Sequence, residues 1–193
     1  MSNVRTPAGQ SAWRMAREAR EAAPLRSSLG RLFGEHTTAW AWRQGAKGEE
    51  MVGAELAWLP DSWRVINDIS LNKKGHNVDH LVIGPGGVFS LNAKNLSGRV
   101  WVAEWAFYVN GKPTDYLRKA QWEAREVTKR LAGSDVQFKV EPVIVVIADR
   151  DRIKIKAQPL NVAVVQWRDI RAWLESQPTG LTPDEVERLA AFA

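Results

Sequence analysis

Residues Asn77–Lys94 read NVDHLVIGPGGVFSLNAK, two runs rich in Val, Ile, Leu and Phe separated by Gly84-Pro85-Gly86-Gly87. β-Branched and aromatic residues favour strands while Gly and Pro punctuate turns, so the stretch predicts a β-hairpin. The glycine-rich segment lacks the Gly-Lys-Ser/Thr ending and the following helix of a phosphate-binding loop, which leaves it as a turn. A register in which Ile83 faces Val88 sets Asp79 opposite Asn92. Alternation then places Asp79, Leu81, Ile83, Val88, Ser90, Asn92 and Lys94 on one face, with Val78, His80, Val82, Phe89, Leu91 and Ala93 on the other. A carboxylate, an amide and an ammonium group converge within reach of diagonal neighbours, about 7–8 Å apart.

Upstream, Gly48 can start a helix whose apolar stripe is Val52, Leu56 and Leu59, ended by Pro60-Asp61. One turn back, the stripe falls on Glu49, the one acid of this helix phased toward the sheet, and Gly53 on the same face permits close approach. Trp63–Leu71 reads as a strand, separated from the hairpin by Asn72-Lys73-Lys74-Gly75. Downstream, Val100–Val102 and Ala106–Val109 predict a second hairpin closing with Asn110-Gly111, and Asp115–Ala132 a helix. Val140–Ala148 is the most hydrophobic run and predicts a central strand buried on both faces. Val162–Val165 adds a strand, and Trp167–Glu175 and Thr182–Phe192 read as closing helices, with Thr182 as N-cap of the last. The order predicts an α/β domain, a mixed sheet flanked by helices.

Of 193 residues, 45% are hydrophobic and 25% charged, the profile of a globular chain. With 27 Lys and Arg against 22 Asp and Glu, the formal charge of +5 favours polyanionic partners, nucleic acid among them. The absence of cysteine excludes disulfides, thiolate nucleophiles and cysteine-ligated metal sites. Only three histidines are present; alternation sends His80 to the face opposite Asp79, and no third nitrogen ligand for zinc is evident. No apolar run approaches the roughly 20 residues of a membrane helix, and MSNVRTPAGQ has no signal-peptide core, so a cytoplasmic protein without membrane contact is expected. Residues 1–44, rich in Arg and Ala and broken by Pro24 and Gly30, read as a basic, partly helical arm, and residues 45–193 as the domain proper.

The face holding Asp79 and Lys94, approached by Glu49, suits a hard divalent cation such as Mg²⁺ or Mn²⁺, with the lysine orienting a water. The same spacing equally suits a structural ion pair between Asp79 and Lys94, with Glu49 an acid at a helix N-terminus favoured by the dipole. Around this face, Lys73, Lys74 and Arg99 are candidates for flanking phosphates. Arg118, Trp122, Arg125 and Lys129 recur at helical spacing and set an aromatic among cations, a surface for a phosphate backbone and a stacked base; an ordinary solvated helix face has the same composition. Ten tryptophans leave room for a few exposed stacking platforms.

Gly48-Glu49-Glu50, the run from Asn77-Val78-Asp79-His80 through Val88-Phe89, and Asn92-Ala93-Lys94 followed by Ser97-Gly98 together resemble the NERD (nuclease-related) domain family over roughly Gly45–Ala132. That family is similar to the PD-(D/E)xK nucleases, which implies a restriction-endonuclease-like core and a metal-dependent nuclease acting on DNA. Carried over residue by residue, the resemblance implies Glu49 as the helix acid, Asp79 as the metal-binding aspartate, Asn92 at the acidic position of the (D/E)xK element, Lys94 as its lysine, and a backbone carbonyl from Ala93. It further suggests Gln121 as a helix glutamine near the site. Asn92 departs from the pattern, because an amide oxygen can coordinate a cation but brings no negative charge. The alternative is a catalytically weak or silent module of the same fold that binds nucleic acid or recruits a partner.

Overall fold

The computed structural model describes residues 35–71 and 76–193. Lys73, Lys74 and the basic arm before Glu35 lie outside the described residues. Helix α1 (Glu35–Leu56) leads into strands β1 (Arg64–Ser70), β2 (Asn77–Gly84) and β3 (Gly87–Asn95). Three short strands follow, β4 (Val100–Ala103), β5 (Ala106–Val109) and β6 (Lys112–Pro113), then helix α2 (Tyr116–Leu131). The chain closes with β7 (Val140–Ile147), β8 (Ile153–Ile155), β9 (Ala163–Gln166), α3 (Ile170–Glu175) and α4 (Pro183–Phe192).

The main sheet runs in the order β1-β2-β3-β7-β9. The β1-β2-β3 half is antiparallel and the β3-β7-β9 half parallel, so β3 is the seam of a mixed sheet. The central hairpin keeps the expected register, with Ile83 opposite Val88 and His80 opposite Leu91. A second sheet, β6-β5-β4-β8, contains the predicted β4–β5 hairpin and two short strands, β6 and β8, that the sequence pattern did not announce.

Alternation along the strands sorts the core into layers. Val82, Phe89, Leu91, Val143, Val145 and Ile147 pack against Val52 and Leu56 of α1 and Ile170 and Leu174 of α3. On the opposite face, Leu81, Ile83, Val88 and Val140 meet Ala124, Val127 and Leu131 of α2 and Val186 and Leu189 of α4. Ile144 and Val146 join Ala120 and the second sheet through Val100, Val102 and Phe107. β7 is therefore buried on both faces, as its unbroken apolar run requires, and each such side chain contributes roughly 1.5–3 kcal/mol. Helix α4 starts at Thr182, whose Oγ1 accepts the Glu185 N–H while the Glu185 carboxylate accepts the Thr182 N–H, a reciprocal cap.

One boundary differs from expectation. Helix α1 begins at Glu35 and not at Gly48, so residues 35–44, assigned by composition to the arm, form its first part. Gly48 is mid-helix, where a Cβ would stand 3.0 Å from the Cβ of Asn95; glycine lets the helix lie close on β3. The Asn95 side-chain amide donates to the Gln44 carbonyl at 2.9 Å and holds that contact. Glu49 is consequently not a first-turn residue, and a helix-dipole role for it falls away.

Candidate active site

Asp79 lies where the sheet opens on both sides of its strand. Toward β1, the pairs Asn67–His80 and Ile69–Val78 flank a gap at Asp68, whose φ of 57° turns it out of the ladder. An aspartate in the left-handed region is a locally unfavourable conformation that the surrounding structure must hold; Asn77 Nδ2 donates to Asp68 Oδ1 at 2.7 Å. Toward β3, backbone pairing stops at His80–Leu91, one pair short of the predicted Asp79–Asn92 couple. The physical reason is the Asp79 carboxylate itself, whose Oδ2 accepts the Ala93 N–H at 2.6 Å in place of a ladder carbonyl.

Across this gap stand Asn92 and Lys94, on the face that packs against α2. The Lys94 ammonium donates to Asn92 Oδ1 and, at 3.4 Å, to the Ala93 carbonyl, and stands 5.4 Å from the centre of the Tyr116 ring. The amide nitrogen of Asn92 donates to both carboxylate oxygens of Glu123 on α2, at 3.1 and 2.9 Å. Glu123 is 9% exposed. The predicted convergence of Asp79, Asn92 and Lys94 is therefore present, with an acid that the sequence reading passed over. Its signal was available: Glu123 falls in phase with Ala120, Ala124, Val127 and Leu131, a carboxylate on the apolar stripe of its helix. Asp68 carries no comparable signal, since nothing in Asn67-Asp68-Ile69 announces a positive φ.

Burial governs the charges. Burial first, then the Asp79 and Asp68 carboxylates, push the Glu49 carboxyl up to about 8. Glu123 is pushed up to about 7, again first by burial, with the Asn92 hydrogen bond opposing and Asp79 reinforcing. Burial also raises Asp79, against the pull of Lys94 and of the Ala93 N–H. Glu49 and Glu123 approach from opposite faces of the sheet, α1 below and α2 above, and both feel Asp79 at the opening between them. Buried carboxylates held above their ordinary range accept either protons or a cation. Among the described residues no three His, Asp or Glu side chains stand close enough together to share one metal ion. Mg²⁺ needs only one or two carboxylates beside neutral oxygens and water, and the hard oxygens of Asp79, Glu123 and the Ala93 carbonyl fit that requirement.

His80 points to the other face and is completely buried, with Nδ1 2.8 Å from Asn67 Oδ1. Burial lowers its pKa to about 4. Gln121 is half-buried on α2, and the side chain of that helix that meets Asn92 is Glu123, two residues on. Arg99, Arg118, Arg125 and Lys129 are exposed, with Arg118 paired to Asp115 and Lys129 to Glu126. Trp122 is half-buried, its ring edge-on to His76 at 5.3 Å, just ahead of β2. Among the residues whose side chains are described, the widely exposed tryptophans are Trp58 and Trp105, at 74% and 73%. No described helix is long and apolar enough to cross a membrane.

The family model described as NERD, nuclease-related domain, matches residues 44–147, from the middle of α1 to the end of β7. That span contains Glu49, Asp68, Asp79, Asn92, Lys94 and Glu123, and its mixed sheet flanked by helices is consistent with a nuclease-like fold. No curated protein and no solved structure matches the chain.

Proposed function

The chain belongs to the NERD (nuclease-related domain) family, and we propose that it is a metal-dependent nuclease hydrolysing phosphodiester bonds in DNA. One observation carries this reading beyond the family: buried carboxylates gather around the Lys94 ammonium group at the opened end of the hairpin, where Asp79 and the Ala93–Lys94 segment are tied by a 2.6 Å hydrogen bond. A purely structural ion pair needs one carboxylate for Lys94, and additional buried acids cost stability unless something neutralises them.

In this reading Asp79 and the Ala93 carbonyl would hold Mg²⁺ or Mn²⁺, and Glu49 on α1, its carboxyl pushed up to about 8 by burial and by the Asp79 and Asp68 carboxylates, would add negative charge once a cation displaces its proton. Such a cation supplies stabilisation of charge on the phosphate and a more acidic bound water. Lys94 Nζ, fixed by Asn92 Oδ1 and the Ala93 carbonyl, is oriented to donate to the attacking water or to a phosphate oxygen. The water oxygen would bond to phosphorus as its proton is lost to solvent, while the bond to the leaving oxygen breaks and that oxygen takes a proton from solvent. Arg99, Arg118 and Arg125 offer exposed cations for the flanking backbone.

A second reading is favoured by Asn92, which supplies no charge: a nucleic-acid-binding or partner-recruiting module without catalysis. The experiment that separates them is incubation of plasmid and single-stranded DNA with the protein and Mg²⁺ or Mn²⁺. The nuclease reading expects cleavage that EDTA stops and that Asp79→Ala and Lys94→Ala each abolish. Salt-sensitive DNA binding with no cleavage at any metal concentration would establish the binding module instead.

A further inference from the structure

Asn92 and Glu123 are complementary in a way that neither is alone. Their contact is between a buried amide, 7% exposed, and a buried carboxylate, and it uses both oxygens of Glu123. A carboxylate at position 92 could not make it, because it has no proton to donate when ionised, and two ionised carboxylates at about 3 Å in a buried site repel strongly. With Glu123 ionised, position 92 must therefore carry a donor, and asparagine is the donor closest in shape to aspartate. The amide also turns its oxygen to Lys94, so that one side chain orients both the ammonium group and the Glu123 carboxylate. Helix α2 lies against β3 and β7, which sets Glu123 on the same side of the sheet as Lys94. Each Glu123 oxygen spends one acceptor site on Asn92 and keeps another.

Resting on the proposed nuclease site, we propose that Glu123 supplies the second acidic ligand of the metal site, replacing from helix α2 the charge that Asn92 does not bring from β3. Asn92 is then a positioning residue, which holds Glu123 and Lys94 in place without contributing charge. A carboxylate kept only to tie the helix to the strand would be redundant, since a glutamine at 123 could accept the same hydrogen bond without the cost of burying an ion. The charge has a use only if a cation is to be held.

The test moves the charge across the existing hydrogen bond without changing its shape. Mn²⁺ affinity is measured by calorimetry, in the absence of DNA, for the wild type, Asp79→Asn, Glu123→Gln and the double variant Asn92→Asp/Glu123→Gln, with thermal melts on each. The double variant retains an amide-to-carboxylate hydrogen bond with donor and acceptor exchanged. Glu123→Gln is expected to weaken Mn²⁺ binding about ten- to a hundred-fold with a near-wild-type melt, and the double variant to recover most of the loss. Glu123→Gln binding Mn²⁺ as the wild type does, while Asp79→Asn does not, would overturn the assignment of Glu123 and leave the nuclease site standing. Failure of the folded wild type to bind Mn²⁺ would remove the metal site itself, and this inference with it. A double variant no tighter than Glu123→Gln would overturn the equivalence of the two positions.

Discussion

His80 and Asp79 are neighbours with opposite surroundings, and the difference is a consequence of strand alternation alone. Asp79 opens toward Lys94 and Ala93, whereas His80 is sealed on the α1 face beside Asn67 and the Glu49 backbone carbonyl. With its folded pKa lowered to about 4 from 6.5 by burial, the imidazole is held neutral. The unfolded chain binds this proton more readily, so the contribution of His80 is fully present above pH 6.5 and is lost as pH falls toward 4, at about 1.4 kcal/mol per pH unit. Glu49 and Glu123 run the other way: their folded pKa values are raised, so the stability they contribute is present at low pH and declines as pH rises toward 7 and 8. Because the Glu49 and Glu123 slopes are common to both proteins, urea unfolding between pH 4.5 and 6.5 is expected to give a less positive slope of stability against pH for His80→Gln than for the wild type. Identical slopes would mean that His80 exchanges its proton freely in the folded protein.

At the scale of elements, the turn at Gly84–Gly87 fixes the register, and Gly84 also fixes how the hairpin meets the rest. An added Cβ at Gly84 would fall 2.2 Å from the ring of Trp63, which is itself buried against Phe89. A packed indole cannot move aside cheaply, so Gly84→Ala is expected to cost about 1–3 kcal/mol. In a domain of this size that lowers Tm by roughly 2–4 °C per kcal/mol; an unchanged Tm would show that Trp63 has another place to go. The hairpin, β7 and the reciprocal cap of α4 were legible because each rests on a local pattern: alternation around a turn, an unbroken apolar run, Thr182 followed by Glu185. The start of α1 was not, because residues 35–44 carry no apolar stripe and Gly45 and Gly48 imitate the boundary where a helix starts; Gly48 is there for close packing on Asn95, a tertiary reason. At the site, strand phase was enough to bring Asp79, Asn92 and Lys94 together. The missing pair at Asp79 and the approach of Glu123 were beyond it, because a side chain displacing a ladder bond and a helix docking over β3 are decided by three-dimensional contacts.

Across the whole molecule, charge is divided between inside and outside. The chain carries a formal +5, and Arg99, Arg118 and Arg125 are exposed, yet the opening beside Lys94 is surrounded by Glu49, Asp68, Asp79 and Glu123. On the proposed nuclease reading, a DNA backbone would be drawn to the surface by these cations and opposed at the site by its acidic groups, until a divalent cation reverses the local sign. The outer attraction should weaken with salt, and if Arg125 is one of the cations that meets phosphate, as proposed, Arg125→Ala should reduce the slope of log affinity against log salt by about 1. The inner opposition predicts something a uniformly basic surface would not: in EDTA, Asp79→Asn should bind DNA several-fold more tightly than the wild type, because a buried negative charge has been removed. On adding Mg²⁺ the order should reverse, the wild type gaining affinity and the variant not. Fluorescence anisotropy at fixed salt, with a DNA duplex resistant to cleavage, reads both halves. Equal affinities of the two proteins in EDTA, or an equal response to Mg²⁺, would mean that the phosphate backbone never reaches Asp79, and DNA would then have to be bound by a surface separate from these carboxylates.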